Sequence, residues 1–316
     1  METNIEKKRS VSVIIPSFDG KTLLEKYLPS LMETLKNSQL ISQYEIIVVD
    51  DASTDGTETF LAENYPKVIC LKNEKNMGFS KTSNRGLWQA QYELVLFLNN
   101  DMVLNHDFFE KTIPYFDQKN TFGVFSEIRD SLGEKKLEGQ KMPKYKRHKI
   151  HYEDNKNTKG KLSFYLCGGN ALVNRRRMLE LKGFNEIFSP FYFEDFDVSL
   201  RAWRKGWKCY YTEETFCKHC HSQTINNKFT KEYVQSIFLR NRFIFNDIHT
   251  TSGECFRLRA QAFLKIILYT IIPTKSHRVV KQAAIAYVKM LKHVRENKEA
   301  LYSGLLPLQS VIQRFK

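Results

Sequence analysis

The sequence predicts an α/β fold in which a central, mostly parallel sheet is flanked by helices. Through the first half of the 316-residue chain, short apolar runs alternate with helical patterns, and this alternation is typical of βα units. The apolar runs are rich in Val and Ile, as expected for strands that are buried on both faces of a parallel sheet. Since 42% of the residues are hydrophobic, the chain can bury a large core, and intrinsic disorder is excluded for most of it.

Four strands and three helices can be assigned along this first half. The strands are predicted over Ser12–Pro16, Glu45–Asp50, Val68–Leu71 and Leu94–Leu98, and the helices over Leu23–Lys36, Thr57–Asn64 and Lys81–Ala90. Open α/β sheets bind their ligands at the carboxyl ends of the strands. We therefore expect a ligand crevice where these strands end.

Polar residues follow three of the predicted strands directly. They are Pro16, Ser17 and Phe18 after the first strand, the segment from Asp50 to Asp55 after the second, and Asn99, Asn100 and Asp101 after the fourth. The second cluster can also be an ordinary turn with a helix N-cap, and the third an ordinary turn, with no ligand at either. The segment from Asn76 to Ser80 precedes a helix, whose first N–H groups suit a phosphate.

A lysine-rich segment separates the two halves of the predicted fold. Residues 135 to 161 include ten Lys or Arg and three Asp or Glu. Because apolar residues are few, the segment is predicted to be a mobile surface insertion, either a lid over the crevice or a solvated loop without a function. Ordered structure is expected to resume near Gly168 and Gly169, a pair that lets the backbone approach a ligand closely.

An acidic cluster begins the next predicted helix. Glu194, Asp195 and Asp197 lie in its first turn, where acids ordinarily complement the helix dipole. Here aromatic residues at 191 to 193 and at 196 surround the carboxylates, and such surroundings raise a carboxyl pKa. A carboxylate with a raised pKa suits a general base.

The cysteine pattern predicts free thiols. Six cysteines are scattered over a chain that is too large to need disulfides for stability. Cys217 and Cys220 form a CxxC pair with His219 and His221 interleaved, but no second ligand pair follows at the spacing of a structural zinc site.

The charge of +14 is concentrated in two basic segments, the lysine-rich segment and the last third of the chain. Residues 227 to 316 hold 16 Lys or Arg and five Asp or Glu. Helices are predicted to begin at Arg240, to run from Leu258 to a stop at Pro273, and to run from Val279 to Val294. These helices either pack on the preceding domain or form a basic amphipathic surface that lies on anionic lipid, and we favour the second interpretation.

Eight motifs in order resemble the family 2 glycosyltransferases with a GT-A fold, a Rossmann-like fold that binds nucleotide diphosphate sugars. They are VSVIIPSFDG (11–20), EIIVVDDASTDGT (45–57), NEKNMGFSKTSNRGL (73–87), LFLNNDMVL (96–104), CGGNALVNRRRM (167–178), GFNEIF (183–188), FYFEDFDVSLRAWRKGW (191–207) and HCHSQT (219–224). Each motif alone is weak, whereas the ordered set is specific and covers about residues 10 to 225. The resemblance extends to bacterial cell-surface enzymes of the rhamnosyl and galactofuranosyl transferase type.

The resemblance implies a donor site and a metal site. Pro16, Ser17, Phe18, Asp51, Met77, Gly78, Asn100 and Asp101 are expected to bind the donor nucleotide, with Met77 and Gly78 along its phosphates. Asp101 matches the last residue of the family's DxD motif, whose first carboxylate is replaced here by Asn99. A divalent ion, Mg²⁺ or Mn²⁺, is expected between Asp101 and His219, with His221 as the alternative histidine.

The resemblance also implies the reacting groups. Asp195 matches the catalytic base, and Glu194 is expected to share the catalytic site. Gly168, Gly169, Asn170, Glu194 and Asp197 are expected to bind the acceptor or the transferred sugar, although Glu194 and Asp197 could equally support the helix. A single displacement with one base inverts the configuration at the anomeric carbon.

These expectations define the domains, the partners and the location. The catalytic domain is predicted over residues 1–226, with a nucleotide-binding half at 10–127, a lysine-rich insertion at 133–162 and an acceptor half at 163–226, and it is followed by a basic helical extension at 227–316. The donor is expected to be a UDP-, dTDP- or GDP-sugar, and the acceptor a glycan or a lipid-linked glycan. The polar N-terminus lacks the apolar region of a secretion signal, which predicts a cytoplasmic protein attached to the inner face of the cell membrane.

Two alternative functions remain open at the level of sequence. A catalytically inactive scaffold that binds nucleotide sugars would explain the missing carboxylate at Asn99. A nucleic-acid-binding protein would explain the pI of about 9.4. No nucleic-acid-binding module is recognised, so nucleic acid is not expected as a partner.

Overall fold

The first half of the chain builds the parallel part of the central sheet. The computed structural model describes residues 7–155, 161–220, 229–272 and 274–315. The first strands are β1 (Arg9–Ser17), β2 (Ile41–Asp50), β3 (Ile69–Lys72) and β4 (Leu94–Leu98), and the helices between them are α1 (Lys21–Asn37), α2 (Thr57–Asn64) and α3 (Phe79–Gln89). β1 pairs in parallel with both β2 and β4, and β3 extends the sheet beyond β2. Each predicted strand and helix of this half is confirmed, with differences of a few residues at the ends.

Close packing of α3 fixes the edge of the sheet that carries the site. A Cβ atom on Gly86 would lie 2.5 Å from Ile14 Cγ2, so a larger residue would push α3 away from β1. Val13, Ile14 and Ile15 of β1 are buried on both faces of the sheet. The helix therefore lies against β1 and β2, and its N-terminus at Gly78 faces the carboxyl ends of these strands.

The second half adds mixed pairing to the same sheet. Its elements are β5 (Met102–Leu104), α4 (Phe108–Thr112), β6 (Thr121–Arg129), β7 (Lys136–Glu138), β8 (Lys141–Lys146), β9 (Lys149–Asp154), β10 (Asn170–Asn174), α5 (Arg175–Glu180), α6 (Glu194–Arg204) and β11 (Lys208–His219). The strand order among the described residues is β3-β2-β1-β4-β10-β6-β11-β5, with β7 beside β6. β10 runs antiparallel to β4 and β6, whereas β6 and β11 are parallel. The predicted α/β fold class is confirmed.

The prediction that the lysine-rich segment lacks regular structure is wrong. β8 and β9 form an antiparallel hairpin, in which Tyr145 lies opposite Ile150 and Pro143 opposite Tyr152. Ile150 is buried, and its backbone N–H donates to the side chain of Asn246 at 2.7 Å. The apolar residues alternate with lysines, which is the pattern of a strand with one buried face. Residues 156–160 of the predicted lid lie outside the described residues.

The last third of the chain forms helices that share the core of the sheet domain. They are α7 (Lys231–His249), α8 (Ser252–Ile271), α9 (Lys275–Lys289), α10 (Leu291–Tyr302) and α11 (Leu308–Gln313). Phe245 and Ile248 of α7, Tyr287 of α9 and Val294 of α10 belong to the same buried cluster as Phe97 and Phe125 of the sheet. These helices therefore pack on the sheet domain, as the first of the two interpretations predicts, while α8 keeps an apolar face exposed.

The helix ends differ from the predicted ones, and α8 begins at Ser252 and α9 at Lys275, before the predicted Leu258 and Val279. α7 begins at Lys231 rather than Arg240, because Thr230 provides an N-cap and accepts from the N–H of Tyr233. The predicted helix from Val279 to Val294 is divided at Met290 into α9 and α10. Pro273, the predicted helix stop, lies outside the described residues. Within the described ranges, none of the helices has the length and apolarity needed to cross a bilayer.

Candidate active site

A cavity of about 470 Å³ opens at the carboxyl ends of β1, β2 and β4. This volume lies within the usual range for small-molecule sites. Twelve residues predicted for the site line it: Pro16, Ser17, Phe18, Asp51, Gly78, Asn100, Asp101, Gly168, Gly169, Glu194, Asp195 and His219. The fold therefore brings the predicted donor, metal and catalytic residues to one place.

Asp51 fixes the turn that leads into α3. Its Oδ1 atom accepts from Asn73 Nδ2 at 2.7 Å and from Met77 N at 2.8 Å, and its Oδ2 atom accepts from Gly78 N at 2.9 Å. The backbone N–H groups of Met77 and Gly78, expected along the donor phosphates, donate to this carboxylate instead. A Cβ atom on Gly78 would lie 2.9 Å from Pro190 O, so glycine is required where the turn meets the opposite wall.

Ser17 and Asn100 connect the ends of β1 and β4. Asn100 Nδ2 donates to Ser17 Oγ at 3.0 Å. A Cβ atom on Gly20 would lie 2.2 Å from Ser17 Oγ and 2.3 Å from Asn100 Nδ2, so the backbone before α1 must approach both side chains closely. These two polar groups are thereby held at the cavity wall.

Asp101 and His219 face each other across neighbouring strands. Antiparallel pairing of β5 with β11 places His219 opposite Met102, and Asp101 directly precedes β5. His219 Nε2 lies 3.0 Å from Asp101 Oδ2, and the backbone of Asp101 accepts from Cys220 N at 2.9 Å. His221, the alternative histidine, lies outside the described residues.

The side chains of Asp101 and His219 are of the types that would hold a divalent ion if a ligand supplied further oxygens. A carboxylate oxygen and an imidazole nitrogen are donors suited to Mn²⁺, and Mg²⁺ prefers oxygen alone. Two protein donors leave most coordination positions of such an ion for ligand oxygens and water. No group of three or more His, Cys, Asp and Glu side chains is arranged for a metal ion in the part of the chain that the structure describes.

Glu194 and Asp195 form a carboxyl pair at the start of α6. Burial raises the pKa of both carboxyl groups, and the charge of Asp195 raises the pKa of Glu194 further. The N–H of Phe196 donates to Asp195 Oδ1 at 2.8 Å. Among the contacts of the described residues, Glu194 Oε2 is buried without a hydrogen-bond partner. The pair therefore offers a proton acceptor and an unused polar atom to the cavity.

The loop before α6 is held in a strained conformation by α7. Tyr192 and Phe193 have φ angles of 76° and 77°, in the left-handed region that residues with a side chain rarely adopt. Asn241 Nδ2 lies 2.6, 2.9 and 2.8 Å from the carbonyl oxygens of Phe188, Phe191 and Tyr192, and its two N–H groups are shared among these three acceptors. Strained backbone persists where its surroundings fix it, and Asn241 is a buried residue that fixes this loop.

Asn241→Ala is expected to lower kcat by up to about 100-fold, since a small displacement of reacting groups has an effect of this size. The free energy of unfolding should fall by about 1–3 kcal/mol, the usual effect of leaving buried polar groups unpaired. Steady-state kinetics and urea unfolding measure the two effects. Asn64→Ala is the matched control. Asn64 likewise donates from its side-chain amide to a backbone carbonyl, but that carbonyl, of Phe60, lies in α2 and not in the loop before α6. An unchanged kcat in Asn241→Ala would show that this contact does not position the loop.

Asp197 does not reach the cavity. Its side chain is fully buried, Oδ2 accepts from Arg201 Nε at 2.8 Å, and Oδ1 lies 2.9 Å from His249 Nε2 and accepts from the Tyr302 hydroxyl. Burial alone raises the pKa of Asp197, but the Arg201 charge and the His249 contact lower it overall. The acceptor-binding role expected for Asp197 therefore does not fit, and its alternative role in supporting the helix does.

His249 completes the support of α6 as a neutral side chain. Burial lowers its pKa to about 4. Because the Asp197 carboxylate can only accept, the neutral ring donates from Nε2, and Nδ1 is buried without a partner among the described residues. α7 and α10 thus anchor the helix that carries the carboxyl pair.

The glycine pair and Asn170 have different surroundings. Gly168 and Gly169 line the cavity, and a Cβ atom on Gly168 would lie 3.7 Å from Asp195 Cβ. Asn170 is fully buried in β10, and its side-chain amide donates to Ser126 O at 3.1 Å and to Ser126 Oγ at 3.0 Å. Asn170 therefore supports the sheet and does not line the cavity in which a sugar acceptor would bind.

Comparison with protein families decides the assignment. A model described as "Glycosyl transferase family 2" matches residues 12–180, more than half of the chain. The chain belongs to glycosyl transferase family 2. The match covers both the donor-side residues from Pro16 to Asp101 and the glycine pair, and it ends before α6.

Curated relatives of this family 2 member share parts of their chains with it. The putative teichuronic acid biosynthesis glycosyltransferase TuaG of Bacillus subtilis is 32% identical over 117 residues, which are 36% of this chain and 44% of TuaG. A Campylobacter jejuni protein named "GalNAc(5)-diNAcBac-PP-undecaprenol beta-1,3-glucosyltransferase" is 30% identical over 183 residues, which are 56% of this chain and 55% of that protein. The matched region is less than two thirds of the length of either relative.

Solved structures confirm the GT-A fold. The structure of Staphylococcus aureus TarS residues 1–349 aligns with a TM-score of 0.55 and 16% identity, covering 97% of this chain and 91% of that one. GalNAc-T7, solved with UDP, GalNAc and Mn²⁺, aligns with a TM-score of 0.64 and 14% identity over 98% of this chain and 56% of that one. At these identities the likeness shows the fold alone.

The cavity also contains residues to which the sequence analysis gave no individual binding or catalytic role. They are Asn76, Phe79, Thr82, Asn99, Cys167, Pro190, Phe191, Tyr192 and Phe229. Most of them belong to the motifs that resemble the family, so their closeness in sequence to the assigned residues was the signal that could have identified them. Asn241, His249 and Tyr302 lie about 50 or more residues from the loop and helix that they support, and no local pattern marked them. All six cysteines lie in the described residues and are free, as predicted.

Proposed function

We propose that this family 2 member is an inverting glycosyltransferase that moves a sugar from a nucleotide diphosphate sugar to an acceptor hydroxyl. One observation carries the proposal: Asp101 and His219 line the same cavity as the carboxyl pair Glu194 and Asp195. Sugar transfer needs a metal site for the donor diphosphate and a carboxylate for the acceptor hydroxyl, both near the anomeric carbon of the donor sugar. Family membership and the GT-A fold support the donor class, and similar structures were solved with GDP-Man or UDP-GlcNAc.

Asp195 acts as the general base in this proposal. A hydroxyl becomes a good nucleophile when a positioned carboxylate accepts its proton. The raised pKa of Asp195 matches it to that proton transfer near neutral pH, and the polar Glu194 holds the acceptor through its unpartnered oxygen. Attack from the side of Asp195, opposite the diphosphate, inverts the anomeric configuration.

Asp101 and His219 hold a divalent ion together with the donor diphosphate in this proposal. When bound, Mn²⁺ or Mg²⁺ stabilises the negative charge that develops on the leaving diphosphate. Similar structures of a Pyrobaculum calidifontis mannosyltransferase and of GalNAc-T7 contain Mn²⁺. Pro16, Ser17, Phe18, Asp51 and Asn100 are the protein groups proposed around the nucleotide.

Asp101→Ala is expected to lower kcat/KM by at least about 100-fold, because the metal contributes several kcal/mol to transition-state stabilisation. Donor binding should also lose its dependence on Mn²⁺, which thermal shift measurements with and without Mn²⁺ detect. His106→Ala replaces an exposed histidine close in sequence and serves as the control. If Asp101→Ala retains Mn²⁺-dependent donor binding at the wild-type level, Asp101 is not a metal ligand.

The proposed base predicts the direction of the pH dependence. Asp195 accepts a proton only when it is deprotonated, so kcat/KM should fall as pH decreases through its pKa. Because burial raises this pKa above the ordinary value of 3.8, the fall should begin at a higher pH than for an exposed aspartate. A pH series of kcat/KM, with donor binding measured in parallel, checks this. A rate that stays constant down to about pH 4, where ordinary carboxylates titrate, would contradict it.

The acceptor is proposed to be a cell-surface glycan or a lipid-linked glycan. The names of the relatives refer to teichuronic acid, poly(ribitol-phosphate) and an undecaprenol-linked glycan. Transfer would then occur in the cytoplasm at the inner face of the cell membrane.

Release of nucleoside diphosphate tests the proposed function. Purified protein is incubated with UDP-, dTDP- or GDP-sugars and Mn²⁺, with and without glycan acceptors. If nucleoside diphosphate is released from one of these donors, and a glycan acceptor increases the release, the result supports sugar transfer. Binding of a donor without release under any condition would instead support an inactive scaffold.

A further inference from the structure

Helix α8 exposes a continuous apolar face. Six large apolar side chains of the helix, and Ile272 directly after it, are between 48% and 73% exposed: Phe256, Phe263, Leu264, Ile267, Leu268, Ile271 and Ile272. Phe263, Ile267 and Ile271 repeat every four residues, and so do Leu264, Leu268 and Ile272, so the two rows lie side by side on one face. Cys255, Leu258 and Ala262 are buried on the other face. Soluble monomers rarely expose a large contiguous apolar patch without a binding function.

The tip of the β8–β9 hairpin lies along one edge of this apolar face. His148 Nε2 lies 2.8 Å from a terminal guanidinium nitrogen of Arg257, and Lys149 Nζ donates to Gln261 Oε1 at 2.8 Å. Lys144, Lys146 and Arg147 are exposed on the same tip. Two acids lie near these side chains: Glu153 pairs with Lys144 at 2.8 Å, and Glu254 accepts from the Tyr145 hydroxyl. The positive charges of Lys146, Arg147, Lys149 and Arg257 outnumber them. The apolar face therefore has a cationic edge.

Three cations gather where the hairpin meets the helices. Burial and the neighbouring charges of Lys265 and Arg242 lower the pKa of Lys149, and burial and Arg242 lower the pKa of Lys265. Lys265 Nζ lies 5.3 Å from the ring centre of Phe243 on α7, so the ammonium group of this α8 residue lies beside α7. Mutual repulsion in this cluster is relieved when an anion approaches.

The surrounding sequence is basic over a long stretch. From Cys255 to Arg295 the chain contains nine Lys or Arg residues and no Asp or Glu. This stretch covers nearly all of α8, all of α9 and the start of α10. A partner of this surface must therefore be both apolar and anionic.

We propose that the apolar face of α8 and the cationic hairpin tip dock together on an anionic phospholipid bilayer. A bilayer satisfies both requirements, because acyl chains receive the apolar side chains and lipid phosphates meet the cations. A second copy of this chain would bring two cationic edges together. A nucleic acid would leave the seven apolar side chains in water.

The docked surface is connected to the carboxyl pair. β9 carries Tyr152, whose ring stacks on Phe196 with centroids 4.1 Å apart, and Phe196 follows Asp195 directly. Docking thus places the bilayer next to the β8–β9 hairpin, which contacts the start of α6 through this stacking. Only this connection to a lipid-linked acceptor rests on the proposed function, since docking itself needs no catalysis.

Co-sedimentation with vesicles tests the apolar part of the surface. Wild-type protein should bind vesicles of equal parts phosphatidylglycerol and phosphatidylcholine, and bind pure phosphatidylcholine far more weakly. Ile267→Glu should weaken binding at least about tenfold, because it places a charge on the inserted face. Leu132→Glu is the matched control, because Leu132 is 71% exposed in the turn between β6 and β7, and binding by this variant should not change. Equal binding by both variants would overturn the proposal.

The cations are tested in the same assay. Lys146→Gln and Arg257→Gln should each weaken binding about fivefold, whereas Lys67→Gln, an exposed control elsewhere, should not. Binding should also decrease with added salt. Asp195→Asn should bind vesicles like wild type, so that failure of catalysis and failure of docking are separate results. A different result would be that wild type does not bind vesicles and forms dimers that Ile267→Glu dissociates. This would show that a second copy of the chain, and not a bilayer, covers α8.

Discussion

Asp195→Asn is expected to reduce the rate of sugar transfer by roughly 100- to 10,000-fold, the range over which a general base contributes. The amide cannot accept the acceptor proton, but it retains an oxygen that can accept from Phe196 N, as Asp195 Oδ1 does at 2.8 Å. The fold and the donor site should therefore be preserved. Turnover and donor affinity, measured on the same preparation, distinguish loss of the base from loss of binding.

Glu194→Gln is the control for this assignment because it changes the neighbouring carboxyl of the same pair. Its effect on turnover should be smaller, since Glu194 is proposed to hold the acceptor and not to accept its proton. If Asp195→Asn transfers sugar at the wild-type rate while Glu194→Gln does not, the base is Glu194.

Asp197→Asn, the same chemical change two residues further along α6, is expected to act on stability. It leaves the Arg201 guanidinium buried without an opposite charge, and breaking a buried ion pair in this way lowers the free energy of unfolding by about 3–5 kcal/mol. Urea unfolding monitored by circular dichroism measures the change. The loss should be large even though Asp197 lies outside the cavity.

The surface pair of Lys205 with Glu180 provides the comparison. Both side chains are substantially exposed, so Glu180→Gln should change the free energy of unfolding by less than about 1 kcal/mol. A similarly small effect of Asp197→Asn would show that the buried network around Arg201, His249 and Tyr302 does not stabilise α6.

The parts of the fold that could be predicted from sequence are those that local patterns specify. β1, β2, β3 and β4 each contain a short apolar run, and each predicted strand was found. Their polar ends meet because parallel strands share one edge of the sheet, so Ser17, Asp51 and Asp101 could be assigned to a common crevice. The resemblance to the family added the carboxyl pair and His219, which the fold brings to the same cavity.

The remaining features depend on contacts between distant parts of the chain. The hairpin was missed because its many lysines hid the alternation of Tyr145, Ile150 and Tyr152. Asp197 and Asp195 look alike in sequence, and only the packing of α7 and α10 on α6 buries Asp197 against Arg201 and His249. Asn241 had no local signal, because it acts on a loop about 50 residues earlier.

Thermal stabilisation by nucleotide sugars tests the central claim most directly, since a ligand that binds the native state raises its melting temperature by mass action. UDP-, dTDP- and GDP-sugars are each added to wild type and to Asp101→Ala, with and without Mn²⁺. We expect one nucleotide class to stabilise wild type in a Mn²⁺-dependent way and Asp101→Ala much less. If none of these donors stabilises the wild-type protein in the presence of Mn²⁺, the cavity is not the proposed donor site.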